Sequence, residues 1–183
     1  MASADVKLRA AQTGSQRTEA QISSAAVAHR APEGVLIRQA QAGRWESFAE
    51  LAVRYDAAFL ALALRLTSSE REARELFQTA FSRVYRELRS YRFQCSFYLW
   101  IHRIVTRVCM QFLQQGGRES RTQRNLVDAA IAQLSPRERM VFELKHFFGL
   151  KLETIAAILE ISEAAARNTF VRAMLILRME ISN

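Results

Sequence analysis

Glycine and proline are scarce in this chain, with six Gly and two Pro in 183 residues. An all-β fold needs a turn about every ten residues, and these few turn formers cannot supply them. The two cysteines, Cys95 and Cys109, make neither a disulfide framework nor a metal site. His29, His102 and His146 lie far apart with no ligand spacing, so no metal is expected. There is no nucleophile elbow, phosphate-binding Gly loop or zinc-protease motif, so neither an enzyme nor a cofactor is expected. No apolar run approaches the ~18–20 residues of a bilayer span, so the chain reads as soluble, with no membrane partner. Lysine is nearly absent as well. Of 26 basic residues only Lys7, Lys145 and Lys151 are lysines.

Arginine is what the chain has instead. The 26 cations outnumber 18 carboxylates, giving a net charge of +8 and an isoelectric point near 10.3. Such basicity suits a polyanion, nucleic acid ahead of an anionic membrane surface. Guanidinium forks favour phosphates and base edges over simple charge neutralisation. Half of the residues are apolar, enough for a packed core. Residues 1–31 stand apart, being Ala, Ser, Gln and Arg with few residues to bury. They read as a disordered tail, with a transit peptide as the weaker alternative.

From Val35 onward the pattern is helical. The spacing predicts a short helix over Val35–Ala42 and a long one over Trp45–Thr67, whose apolar stripe includes Phe48, Leu51, Tyr55, Phe59, Leu62 and Leu66. Ser69 and Glu72 form a capping box that starts a helix running to about Ser90. A further helix is expected over Ser96–Gln114, followed by a polar, Gly-bearing linker. Asn125–Leu134 reads as a helix. Ser135, Pro136 and Glu138 then start another that carries Val141, Phe142, Leu144 and Phe147 and stops at Gly149. Leu152–Leu159 and Glu163–Ile181 are the last two helices, and no strand pattern occurs. The fold class is all-α, as two helical modules joined by a short linker.

Two features bear chemistry. A short helix, the turn Glu160-Ile161-Ser162 and a longer helix make a helix-turn-helix. Ile155, Ala156, Leu159, Ala166, Phe170, Ala173 and Leu177 are its expected core; Arg167, Asn168, Val171 and Arg172 are its expected DNA-facing set. The second feature lies between Phe81 and Trp100, where seven of the 17 aromatics fall. Arg83, Arg86, Arg89 and Arg92 are interleaved with them, and Arg103 and Arg107 follow. Aromatic faces beside guanidinium groups can stack unpaired bases while holding a strand's phosphates. The loop Tyr91–Ser96 is the expected single-strand contact: Tyr91, Arg92, Phe93, Gln94, Cys95 and Ser96.

These residues resemble a family. Leu36–Gly43, Phe48–Leu51 and Arg54-Tyr55 are similar to the start of region two in extracytoplasmic-function sigma factors of bacterial RNA polymerase. Glu72–Phe81 resembles the acidic, Gln-containing helix of that family, and Ser96–Ile104 its Ser-Phe-x-x-Trp-Leu segment. Leu134–Arg139, Gly149-Leu150, Ile155-Ala156 and Arg172-Ala173 resemble region four. Departures occur at Arg74 and Thr79, usually acidic, and at Arg107, often Asn. Phe93 and Glu160 stand where the family often has Gly, and Ala164–Ala166 replace Gly-Thr-Val.

The resemblance implies a tail at 1–31, a four-helix region-2-like domain at 32–115, a linker at 116–124 and a region-4-like domain at 125–183. It implies a cytoplasmic promoter-recognition subunit whose partners are RNA polymerase core and promoter DNA, with an anti-sigma factor as a candidate third. Glu72, Glu75 and Gln78 match the docking residues for the polymerase clamp. Tyr91–Ser96 with Arg103 and Arg107 match the part that binds the minus-ten strand, and Arg167, Asn168, Val171 and Arg172 match the minus-thirty-five reader. Two alternatives stay open: a dimeric helix-turn-helix regulator, and a sigma-like decoy that binds polymerase or an anti-sigma factor without starting transcription.

Overall fold

The computed structural model describes residues 31–67, 69–115 and 126–182. The tail read at 1–31 (its last residue apart) and the linker read at 116–124 lie outside the described residues. Among the described residues every regular element is helical.

Helix α1 spans Glu33–Gln41 and buries Leu36, Ile37 and Ala40. It stops at Gly43, whose φ of +92° lets the Arg44 N–H return to the Gln39 carbonyl at 3.0 Å. The helix expected over Trp45–Thr67 is two helices, α2 (Trp45–Val53) and α3 (Asp56–Leu66). At the break, the Arg54 and Tyr55 N–H groups reach back only three residues, to the Leu51 and Ala52 carbonyls. Long-range bonds hold that bend. Arg54 donates to the Ala31 carbonyl at 2.6 Å, and the Tyr55 hydroxyl donates to Glu33 Oε1 at 2.6 Å. Burial, reinforced by Glu33, pushes the Tyr55 phenol well above its ordinary pKa.

Helix α4 (Glu70–Glu87) begins at Ser69, whose hydroxyl accepts from the Glu72 N–H at 3.2 Å. It ends before the expected Ser90, tightening into a 3₁₀ turn over Leu88–Ser90. Helix α5 (Phe97–Gln114) is capped by Ser96 and buries residues on several sides, among them Ile101, Val105, Val108 and Cys109.

The second module holds α6 (Leu126–Gln133), α7 (Pro136–His146), α8 (Leu152–Leu159) and α9 (Glu163–Ser182). The start of α7 is a full capping box: the Glu138 N–H donates to Ser135 Oγ and the Ser135 N–H to the Glu138 carboxylate. Gly149, at φ +64°, lets the Leu150 N–H close on the Leu144 carbonyl at 3.1 Å.

The modules do not sit apart. Met140, Val141, Leu144, Ile155 and Ile158 belong to the same apolar cluster as the buried residues of α1–α5. A smaller cluster of Ala130, Ile131, Leu134, Phe142, Ala173 and Leu177 holds the second module together. Arg65 of α3 pairs with fully buried Glu143 of α7, lies over the Phe147 ring and offers its carbonyl to buried Arg139 at 2.9 Å. Two core expectations change as a result. Ile158 joins Ile155 as a deeply buried residue of α8 while Leu159 is only half-buried, because α8 also faces the first module. Phe147 is exposed and serves as a surface for Arg65.

Candidate nucleic-acid interface

The loop Tyr91–Ser96 joins the 3₁₀ turn to α5. Tyr91 was expected to offer a stacking face, and it cannot. It is 4 % exposed, its ring packed against Phe93, Phe97 and Trp100 at centroid distances of 4.9, 5.5 and 5.1 Å. Its hydroxyl donates to the Cys95 carbonyl at 2.6 Å, and the Gln41 side chain donates to the Leu88 and Tyr91 carbonyls. Tyr91 is the post on which the loop is built. Ser96 is likewise committed to structure, since its hydroxyl accepts from the Leu99 N–H at 3.2 Å.

What the loop does present is Arg92, Phe93 and Gln94, all exposed, with Cys95 half-buried. Phe93 is 46 % exposed and holds φ at +60°, a conformation that normally favours glycine, beneath the guanidinium of Arg38 at 5.2 Å from its ring centre. An exposed ring held in a strained backbone is a surface feature rather than a core plug. Cys109 is fully buried, which pushes its thiol to about 12 and makes it a core residue.

Arg103 and Arg107 lie one turn apart on α5, turned toward the second module. Arg103 donates from Nε to the Ala157 carbonyl at 3.0 Å and lies 3.7 Å from the Glu160 carboxylate; Arg107 reaches its other oxygen at 3.5 Å. The structure therefore occupies both cations at the module boundary. His102, beside them, packs at a tilt against the Tyr98 and Phe59 rings, and burial lowers its pKa below the ordinary value.

The helix-turn-helix forms as expected. Glu160 takes the left-handed conformation (φ +55°, ψ 44°), the Ile161 N–H returns to the Ala156 carbonyl, and Ser162 accepts from the Ala165 N–H at 3.1 Å. Ala166 and Ala173 are wholly buried, which turns Arg167, Asn168, Val171 and Arg172 outward on α9. Arg167 pairs with Glu163 one turn back at 2.9 Å, and Arg172 lies 3.9 Å from the Glu138 carboxylate. Val171 continues into exposed Met174, Leu175 and Met179.

A third surface lies on α4. Glu75 and Gln78 are exposed and Glu72 half-buried; Arg71 pairs with Glu75 and Arg74 with Glu70, each at i,i+4. Glu75 and Gln78 rim a groove of about 1050 Å³ between α2 and α4. Its floor and wall include Phe48 and the exposed Trp45, Val53 and Tyr85, with Tyr85 4.8 Å from Phe48 and 5.4 Å from Trp45. Sequence reasoning missed this groove. Nothing in the sequence marks Trp45 and Val53 as uncovered; they stand exposed beside the ring contacts that α2 makes with Tyr85 of α4.

Comparison with known proteins agrees with this layout. The Sigma-70 region 2 family model matches residues 51–119, and the Sigma-70, region 4 model matches residues 124–177. The ECF RNA polymerase sigma-E factor of Escherichia coli is 27 % identical over 170 residues, covering 76 % of this chain and 88 % of that protein. The RNA polymerase sigma-H factor of Pseudomonas aeruginosa is 25 % identical over 169 residues, covering 75 % and 88 %. Among solved structures, CnrH in complex with the cytosolic domain of CnrY superposes with a TM-score of 0.66 at 22 % identity, over 81 % of this chain and 96 % of that one. The sigma factor RpoE of Bartonella quintana, in complex with the anti-sigma factor NepR, gives a TM-score of 0.59 at 17 % identity, over 75 % and 98 %.

Proposed function

Because this chain is an extracytoplasmic-function sigma factor of the sigma-70 family, acting in transcription initiation, we propose a division of that work among its three surfaces. Residues 32–115 act as region two and residues 125–183 as region four, with 116–124 between them. The protein works by binding, in the cytoplasm with RNA polymerase, and turns over no substrate.

The α2–α4 groove with its Glu75 and Gln78 rim, together with Glu72 one turn back on α4, docks on the polymerase clamp. An apolar trough with two carboxylates at its edge suits a helix bearing apolar and cationic side chains. The loop captures an unstacked base of the minus-ten strand, with Phe93 as stacking face, Gln94 as hydrogen-bonding reader and Arg92 beside them. Arg103 and Arg107 hold the backbone of that strand. Arg167, Asn168, Val171 and Arg172 meet the minus-thirty-five duplex. An anti-sigma factor, like the one bound to the Bartonella relative, is the third proposed partner.

The observation that carries this reading is the loop itself: Phe93 and Gln94 stand exposed on a turn locked from below by Tyr91. A protein that melts DNA needs such a platform to repay unstacking, and a base stack supplies ~1–3 kcal/mol. The test is in-vitro transcription with core polymerase on a genomic promoter library. Wild type should start transcription at a defined promoter set, and Gln94→Ala should relax the minus-ten preference without losing the minus-thirty-five preference. Absence of promoter-specific transcripts, with core polymerase still bound, would favour the decoy.

A further inference from the structure

Helix α1 carries a cation beside the loop that none of the three surfaces uses. Arg38 is exposed, and its guanidinium lies over the Phe93 ring, 5.2 Å from the ring centre. A cation at that distance is drawn to the ring by its quadrupole and spends no N–H donor on it. Among the described residues no carboxylate pairs with Arg38 and no carbonyl accepts from its side chain. The arginines already assigned to the strand are more committed. Arg92 donates to the Arg89 carbonyl at 2.5 Å, Arg103 to the Ala157 carbonyl at 3.0 Å, and Arg107 faces Glu160. Gln41 lies one turn on from Arg38, on the same face of α1. It donates to the Leu88 and Tyr91 carbonyls at 2.9 and 2.8 Å, which fastens α1 to the turn before Phe93. The α1 backbone and the loop are thereby one piece.

We propose that Arg38 is a further strand contact, holding the phosphate of the nucleotide whose base is captured on Phe93. This inference rests on the assignment of Phe93 as the stacking face of the loop. A phosphate joined through one sugar to a base on that ring lies within reach of a guanidinium already over it. The guanidinium fork matches two phosphate oxygens, and its donors are unspent. Phe93 stays 46 % exposed beneath Arg38, so the cation sits at the ring without sealing it. Stacking and charge then act on one nucleotide, and α1 becomes part of the strand-binding surface.

The test titrates the full chain with a fluorescent single-stranded DNA 12-mer of mixed sequence at several salt concentrations, since a phosphate contact carries no base information. Each phosphate contact on a single strand adds about 0.7 to the slope of log affinity against log salt, whereas bracing a ring adds nothing. Arg38→Gln should weaken the 12-mer about two- to fivefold at low salt and flatten that slope by about 0.7. Arg38→Lys retains the charge and should keep the wild-type slope. Arg178→Gln, at an exposed cation of α9, changes net charge equally and should leave the slope unchanged. Three results would overturn the proposal. If Arg38→Gln matches wild type, or weakens binding with no change of slope, while Phe93→Gly weakens it, Arg38 holds no phosphate and the capture loop stands. If Arg178→Gln flattens the slope as much as Arg38→Gln does, the effect is one of net charge alone. If Phe93→Gly binds as tightly as wild type, the stacking assignment fails and the role of Arg38 falls with it.

Discussion

At the scale of single residues, the loop shows how one side chain can support a site without touching its ligand. Tyr91 is buried and hydrogen-bonded to the Cys95 carbonyl, whereas Phe93 two residues on is exposed at positive φ. Phe93→Gly should therefore leave stability within ~1 kcal/mol, since relief of backbone strain offsets the added freedom of the unfolded chain. Single-strand affinity should fall by ~1 kcal/mol or more as the stacking face is lost. Denaturant melts and strand titrations on the same variant check both, and unchanged strand affinity would count against Phe93 as the stacking face. His102 gives a pH signature. Burial lowers its folded pKa from 6.5, so in acid the unfolded chain takes up a proton the folded chain resists. Its contribution is complete above about pH 6.5 and is lost as pH falls below that value. Denaturation of wild type between about pH 7 and 5 should show a steeper loss of stability than His102→Gln; equal slopes would contradict this.

At the scale of elements, each helix brings one function to the surface by burying its other side. In α4, burial of Ala73, Leu76 and Ala80 leaves Glu75 and Gln78 outward on the groove rim. Glu75→Arg reverses one charge there and should weaken association with core polymerase by ~1 kcal/mol, most clearly at low salt. Co-purification with core enzyme that is insensitive to the substitution at every salt concentration would remove α4 from the docking surface. In α9, buried Ala166 and Ala173 set the outward face, and a bidentate base contact is worth ~1–3 kcal/mol of discrimination. Arg167→Ala should relax preference at one upstream position if its guanidinium reads a base, and lower affinity uniformly if it holds a phosphate. Transcription from a set of mutated upstream elements distinguishes the two, and wild-type activity of the Arg167→Ala/Asn168→Ala pair across that set would refute both.

At the scale of the molecule, the two modules are joined by a shared core and by charges that cross it. Arg65 and Glu143 lie 78 residues apart in sequence, and Glu143 is wholly buried. Losing one member of a buried pair is costly, while the 28 % exposure of the Arg65 side chain moderates the effect, so Arg65→Met should cost about 1–3 kcal/mol. Because the loss falls at the boundary, it should also uncouple the modules, splitting a single calorimetric transition into two. A single cooperative transition in Arg65→Met would show that apolar packing alone couples them.

The sequence by itself determined the helical class, most helix starts and the outward set of α9, because these rest on interactions between residues three or four apart. Ser69, Ser96, Ser135 and Ser162 announce helix starts through bonds to N–H groups within one turn. The bend at Arg54-Tyr55 escaped it, since the apolar stripe keeps its phase across the break and the bonds holding the bend come from Ala31 and Glu33. The burial of Tyr91 escaped it too, because an aromatic in a polar loop has no local periodicity to reveal which way it faces. Only the tertiary structure decided that Arg65, Arg103 and Arg107 face carboxylates and carbonyls of the other module. Their partners lie 53 to 78 residues away in the chain, and a pairing of that range is selected by the packing of helices rather than by any pattern along one of them.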